Sequence, residues 1–174
     1  MKPPRKPTLD RLKASALAYL TRYAASRAML RAVLVRRVTR WARATGAEAE
    51  AIAEAMRAVD EAVATSVRAG LVDDARFAGA RTATLVRKGW PARRIKAALS
   101  QKGIDGVTAA AAVEAAATDD AAAARRFAER RRLGPWRAAE RRAERREKDI
   151  AALMRAGFSL SHARAAVDGA ADAP

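Results

Sequence analysis

Apolar residues recur in one register around two glycines of the chain. A leucine lies four residues before Gly103 and before Gly157, an apolar residue follows each glycine, and a valine lies ten residues after it. Gly46 shows a weaker form of the same pattern, about 55 residues upstream of Gly103. Repetition at such a period is typical of helical arrays whose units stack on their neighbours. We therefore predict three repeats of about 50 residues.

The glycines also indicate where helices end. A single glycine past the last helical turn, with a cation just before it, is usual for a helix C-terminus, and both Gly89 and Gly103 fit that position. Pro91 suits the first turn of the following helix. Asp105 and Ser159 are expected to be N-caps. For the middle repeat we predict helices over about 73–88, 91–102 and 105–117.

Composition favours an all-α protein, because alanine dominates, aromatic residues make up 5% and β-branched clusters are rare. A three-helix unit of this size has a small core, so we expect the repeats to stack in tandem into an elongated, curved array. The predicted organisation is a basic, flexible N-terminal segment (1–13), repeat 1 (14–70, with an extended second helix over about 26–45), repeat 2 (71–117), repeat 3 (118–170) and a tail (171–174).

The larger apolar residues are predicted to form the cores of the repeats. Trp90 and Trp136, each next to a proline at a helix junction, are expected to be partly exposed; base stacking is a less favoured alternative for them. The predicted core residues are Tyr19, Leu30, Leu34, Trp41, Phe77, Ile95, Leu99, Phe127, Ile150, Leu153 and Phe158.

The adjacent carboxylates Asp73 and Asp74 raise the question of a catalytic or metal site. Neighbouring helical residues point about 100° apart, so the two side chains do not form a facing pair. We predict instead that Asp73 is the N-cap of a helix and that both acids oppose its positive end. Asp119 and Asp120 are expected to open repeat 3 in the same way.

The sequence offers little for catalysis. His162 is the sole histidine, cysteine is absent and no glycine-rich phosphate loop occurs, so we predict no enzyme, no metal site and no cofactor. No apolar run approaches the roughly 20 residues that cross a bilayer, and the N-terminus lacks the apolar core of a signal peptide. We therefore expect a cytoplasmic protein without a membrane partner.

The net charge of +16 predicts a polyanionic partner. Nucleic acid is the first candidate; an anionic membrane surface or an acidic protein groove is the alternative. Basic and acidic segments alternate along the chain, and stacking is expected to align the basic ones into one stripe. The alternative for each basic residue is an ordinary solvated helix face. The candidate binding residues are Arg27, Arg31, Arg36, Arg37, Arg40, Arg87, Lys88, Arg93, Arg94 and Lys96.

The stretch GLVDDARFA, followed by RKGWPARRIKAALSQKGI, resembles the central signature of the RecX family, which regulates the RecA recombinase. The resemblance spans most of residues 14–168, although the second helix of repeat 1 is predicted to run past the usual family stop to Gly46. It implies three tandem three-helix repeats, cytoplasmic location and no enzymatic activity. The signature residues include Asp73, Asp74, Phe77, Gly89, Ile95, Leu99 and Gly103.

The resemblance further implies binding to RecA filaments on DNA along their helical groove. Such binding inhibits or modulates ATPase, strand exchange and coprotease activity in recombinational repair and the SOS response. Two other hypotheses follow from the charge alone: a sequence-nonspecific DNA-binding protein that acts without a recombinase, and a helical scaffold for an acidic protein. We expect a monomer, because polar outer faces on the terminal repeats can cap the array.

Overall fold

The computed structural model describes residues 5–170, and all regular structure in this range is helical. The all-α fold class is thereby confirmed. The predicted tail over 171–174 lies outside the described residues. The helices are α1 (Leu9–Leu20), α2 (Arg27–Thr45), α3 (Ala49–Arg68), α4 (Asp74–Arg87), α5 (Ala92–Ser100), α6 (Gly106–Ala115), α7 (Asp120–Arg131), α8 (Arg142–Arg155) and α9 (Leu160–Asp168), with 3-10 turns at Gly134–Trp136 and Ala139–Arg141.

The first helix begins earlier than expected. α1 starts at Leu9, so the prediction of a flexible segment over 1–13 is wrong from that residue onward; residues 1–4 lie outside the described range. Leu12 is fully buried and ties this turn to the core. Asp10 stands in the first turn of α1, where a negative charge opposes the positive end of the helix dipole.

Helices α1 and α2 both pack against α3. Leu30, Leu34, Val38 and Trp41 are buried along α2. Their spacing of three or four residues keeps one face of the helix in the core and leaves its arginines outside. α2 runs to Thr45 and ends at Gly46, whose φ of +61° is the left-handed conformation that glycine adopts without strain.

The signature residues lie on helices α4 and α5 and in the turns beside them. Ile95 and Leu99 are fully buried on α5. Asp105 is the N-cap of α6, as predicted, and accepts a hydrogen bond from the backbone N–H of Thr108 at 2.8 Å. α5 starts one residue later than predicted, at Ala92, so Pro91 precedes the helix instead of opening it.

Helices α7 to α9 enclose the core around Phe158 and Leu153. Ser159 caps α9 as predicted, accepting from the backbone N–H of His162 at 3.1 Å. Eight of the predicted core residues are buried; the exceptions are Tyr19, Phe77 and Phe127, which are half-buried. Trp90 and Trp136 are also half-buried, which agrees with their expected partial exposure.

Each pair of adjacent aspartates caps two helices. Asp73 accepts from the backbone N–H of Arg76 at 2.9 Å and is the predicted N-cap of its own helix. Asp74 instead accepts from the backbone N–H of Arg27, the first residue of α2, at 2.8 Å. The second acid stands in the first turn of α4, as expected, and in addition caps a helix of the preceding predicted repeat.

The later pair repeats this arrangement. Asp119 accepts from the backbone N–H of Ala122, in its own helix, at 2.9 Å. Asp120 accepts from the backbone N–H of Ala92, the first residue of α5, also at 2.9 Å. Two such pairs at matching positions support a common design for successive three-helix units.

The chain divides into two compact units. One contains the residues up to Phe77 together with Lys102–Ile104, and the other contains the remaining described residues. The first boundary between the two units falls within α4, after Phe77, and not at the predicted end of repeat 1. The division into three repeats remains a prediction.

Candidate polyanion-binding surfaces

All ten candidate residues are exposed, and their neighbours differ from one to the next. Within residues 5–170, Arg31 is the single member of the set that forms an ion pair: its Nε lies 2.8 Å from Oδ1 of Asp60 on α3. The other nine have no carboxylate within ion-pair distance in that range, so their charge is available to a partner.

The five candidate arginines of α2 do not form a single patch. Arg27 and Arg31 stand on the side of α2 that faces α3, where Asp60 also lies. Arg37 and Arg40 stand on the side that faces α1, where they line a cleft. At about 100° per residue, Arg40 points about 180° away from Arg31 around the helix, which explains the division. Only part of the predicted α2 surface is therefore a continuous basic site.

On α5, Ile95 and Leu99 turn into the core, which fixes the outward direction of Arg93 and Lys96. Arg94 lies over the half-buried ring of Trp90, with its guanidinium carbon 3.7 Å from the ring centroid. A cation held over an indole face is attracted by the ring quadrupole and loses freedom. Trp90 thus orients a candidate arginine, and its ring face is already occupied.

A small basic pocket forms where Lys88 and Arg94 meet the end of α7. Its volume is about 280 Å³, and four cations line it without a carboxylate. Two of these cations, Arg130 and Arg131, are absent from the predicted set. A Cβ built on Gly89 would lie 3.4 Å from Nη2 of Arg130, so the guanidinium rests close to the glycine turn.

The sequence marks Arg130 and Arg131 by their position at a helix end, which matches that of Arg87 and Lys88. Arg87 ends α4 and Lys88 follows it, and Arg130 and Arg131 end α7, the first helix of predicted repeat 3. Matching the repeats by their helix ends would have selected both pairs. The pocket is walled by Phe127 and Phe158 and therefore combines positive charge with an apolar base.

A buried bidentate ion pair lies away from the candidate surfaces. Asp149 is 3% exposed, and its carboxylate accepts from Nε and Nη2 of Arg137 at 3.0 and 2.7 Å and from the backbone N–H of Gly134 at 2.9 Å. Burial alone raises the pKa of Asp149, but Arg137, the Gly134 amide and Arg145 together hold that pKa below its ordinary value of 3.8. This bidentate pair stabilises the irregular segment before α8.

The residues that the structure describes contain neither a metal-binding cluster nor a membrane span. No group of three or more His, Cys, Asp or Glu side chains is arranged to hold a metal ion within 5–170. In the same range, no helix has both the length and the apolar character needed to span a bilayer.

These features define an all-α helical protein with capped, repeated three-helix units and exposed, largely unpaired basic residues. A family model described as RecX, second three-helix domain, matches residues 73–113, which contain most of α4, α5 and α6. The chain is 40% identical over 170 residues to "Regulatory protein RecX" of Myxococcus xanthus (strain DK1622), covering 96% of this chain and 89% of the relative. The chain belongs to the RecX family. No solved structure matches it.

Proposed function

We propose that the protein binds RecA recombinase filaments on DNA and inhibits or modulates their activity. Membership of a family whose curated relative is named a regulatory protein supports this proposal. The observation that carries it is the set of nine candidate cations without an ion-pair partner among residues 5–170. Such cations suit a groove that contains acidic protein surface and DNA phosphate.

The affected activities are ATPase, strand exchange and coprotease cleavage, which places the protein in recombinational repair and the SOS response. It acts in the cytoplasm, as a monomer, through the basic residues of α2 and α5. Lys88 and Arg94, together with Arg130 and Arg131, are the strongest contact candidates in the second unit, because four cations converge there. Lys and Arg contacts of this kind give affinity with steep salt dependence and little sequence choice.

The direct test is the ATPase of a RecA-type recombinase on single-stranded DNA, titrated with this protein at two salt concentrations. The expected result is a fall in ATPase that is larger at the lower salt concentration, because screening weakens contacts between exposed charges. Unchanged ATPase at a stoichiometric excess of the protein, at both salt concentrations, contradicts the proposal.

A further inference from the structure

A basic cleft separates α1 from α2 on the first unit. Its volume is about 690 Å³. Arg5 and Arg11 stand on one side and Arg37 and Arg40 on the other, and no carboxylate lines the cleft. Arg37 and Arg40 belong to the predicted α2 set, whereas Arg5 and Arg11, which precede or begin α1, were not predicted.

Helix geometry explains how the cleft forms. Arg11, Ala14 and Ala18 recur at spacings of three and four along α1, so they share one face. Alanines on that face leave room between the two helices. Nη1 of Arg11 donates to the backbone carbonyl of Lys6 at 2.9 Å, which holds the segment that carries Arg5 at the edge of the cleft.

The base of the cleft admits phosphate better than it admits a peptide. An amphipathic helix bound in a groove gains most of its affinity from apolar anchors in deep pockets. Here Trp41 is 8% exposed, and the other apolar groups are mainly alanines, so no such anchor pocket is present among the lining residues. Guanidinium groups instead match phosphate oxygens in bidentate geometry.

The size of the cleft indicates a single strand. Residues 11–18 extend over about 10 Å at 1.5 Å per helical residue. That length spans about three nucleotide steps of a stacked strand at 3.4 Å per step. The lining offers no well-exposed aromatic ring for base stacking, so recognition falls on the sugar-phosphate backbone and is independent of sequence.

We propose that the α1–α2 cleft binds the phosphate backbone of a single nucleic-acid strand. The proposal deepens the proposed function by giving the protein a direct contact with DNA, and it holds or fails independently of recombinase inhibition. Four like charges without a lining carboxylate repel one another, and a polyanion relieves that repulsion.

The test measures binding of a fluorescent oligothymidylate to the full chain, without recombinase, over a range of salt concentrations. Two double variants each remove the positive charge from one side of the cleft. They are Arg37→Gln with Arg40→Gln, and Arg5→Gln with Arg11→Gln. With one phosphate contact per arginine, each pair should lower the slope of log K against log salt by about 1.4, which is about 25-fold in affinity at 0.1 M salt.

The matched control is Arg22→Gln with Arg43→Gln, which removes the same charge from exposed positions of the same unit that do not line the cleft. It should change the slope by less than half a unit. Circular dichroism melting verifies that all three variants are folded. Arg37→Lys with Arg40→Lys should retain most of the slope, because a lysine also neutralises a phosphate.

Several outcomes overturn the proposal. Equal losses in the control and the cleft variants show that net charge alone matters. Tighter binding of a polyglutamate peptide than of the oligonucleotide assigns the cleft to an acidic protein segment. A parent protein that binds DNA but does not inhibit the recombinase refutes only the proposed function.

Discussion

The carboxylates of Asp73 and Asp74 accept backbone hydrogen bonds from two different helices. Asp73 serves α4, whereas Asp74 reaches the first amide of α2. The first amides of a helix have no partner within that helix, so each acceptor satisfies a donor that otherwise depends on water. A side chain at one position thus ties the start of one three-helix unit to the middle of the preceding one.

Replacing Asp74 tests this link. Asp74→Ala should lower the free energy of unfolding by about 1 kcal/mol, because the Arg27 amide loses its capping acceptor. Asp74→Asn keeps an acceptor oxygen of the same reach and should cost clearly less. Urea denaturation of both variants measures the difference. Equal losses for alanine and asparagine would show that charge, not the cap, accounts for the effect.

The buried pair of Asp149 and Arg137 makes a prediction about pH. Because the pKa of Asp149 is held below 3.8, the folded state binds the proton more weakly than the unfolded state does. The stabilisation is therefore complete above pH 3.8 and is lost as pH falls through the folded pKa. At neutral pH, Asp149→Asn should lower the free energy of unfolding by about 3 kcal/mol, since the guanidinium loses its paired charge.

Denaturation of the parent protein and of Asp149→Asn at several pH values from 6 down to about 2.5 measures this effect. The difference between the two proteins should shrink below pH 3.8. Other carboxylates with a lowered pKa, such as Asp168, are present in both proteins and cancel in the comparison. A difference that stays constant with pH would mean that Asp149 stabilises the fold by shape and hydrogen bonding alone.

At the scale of helices, a glycine that follows one helix packs against the first turns of another helix. Gly103 follows α5 and packs against α2, and Gly157 follows α8 and packs against α5. The Lys102 carbonyl accepts from Oγ of Ser26, the N-cap of α2. A Cβ on Gly103 would lie 2.2 Å from Cβ of Ala28, and one on Gly157 would lie 3.0 Å from Cβ of Arg94. These glycines serve both a left-handed turn and a close approach between helices.

Gly103→Ala separates these two roles when it is compared with Gly46→Ala. Both positions have positive φ, +75° and +61°, so both substitutions incur about 1 kcal/mol of backbone strain. Only Gly103 also meets a neighbour, because nothing lies within 4 Å of a Cβ at Gly46. Gly103→Ala should therefore cost about 2 kcal/mol more in urea denaturation. Equal costs would show that the close packing relaxes freely.

These elements also show what the sequence can predict. Helix ends at Gly46, Gly89 and Gly103 follow from local conformational preferences, and caps such as Asp105 follow from side-chain chemistry; both were predicted. The partner of Asp74 was not, because it lies 47 residues away along the chain. Arg137 and Asp149 were missed for a related reason, since Arg137 lies in the irregular segment before α8, which no periodicity marks.

At the scale of the whole chain, the excess positive charge remains largely unpaired on the candidate surfaces. Acidic residues such as Glu54 and Glu61 pair with Lys6 and Arg68 instead. The sequence predicted which residues would be exposed, but it did not show that Arg31 is paired or that α2 divides its arginines between two sides. Side-chain direction depends on packing against α1 and α3, which composition does not reveal.

The α5 surface gives the most direct test of how this charge is used. Arg93→Glu with Lys96→Glu reverses two exposed cations that contact no core residue through a described hydrogen bond or ion pair. Arg94 stays unchanged, since its stem packs near Gly157 and its guanidinium over Trp90. If α5 faces the filament, this variant should require at least about tenfold more protein for half-maximal inhibition of recombinase ATPase, because each contact changes from attraction to repulsion.

The control variant, Arg81→Glu with Arg126→Glu, makes the same change in net charge at other exposed positions and should shift inhibition far less. Similar shifts for both variants would assign inhibition to the overall field of the protein and remove α5 from the contact surface.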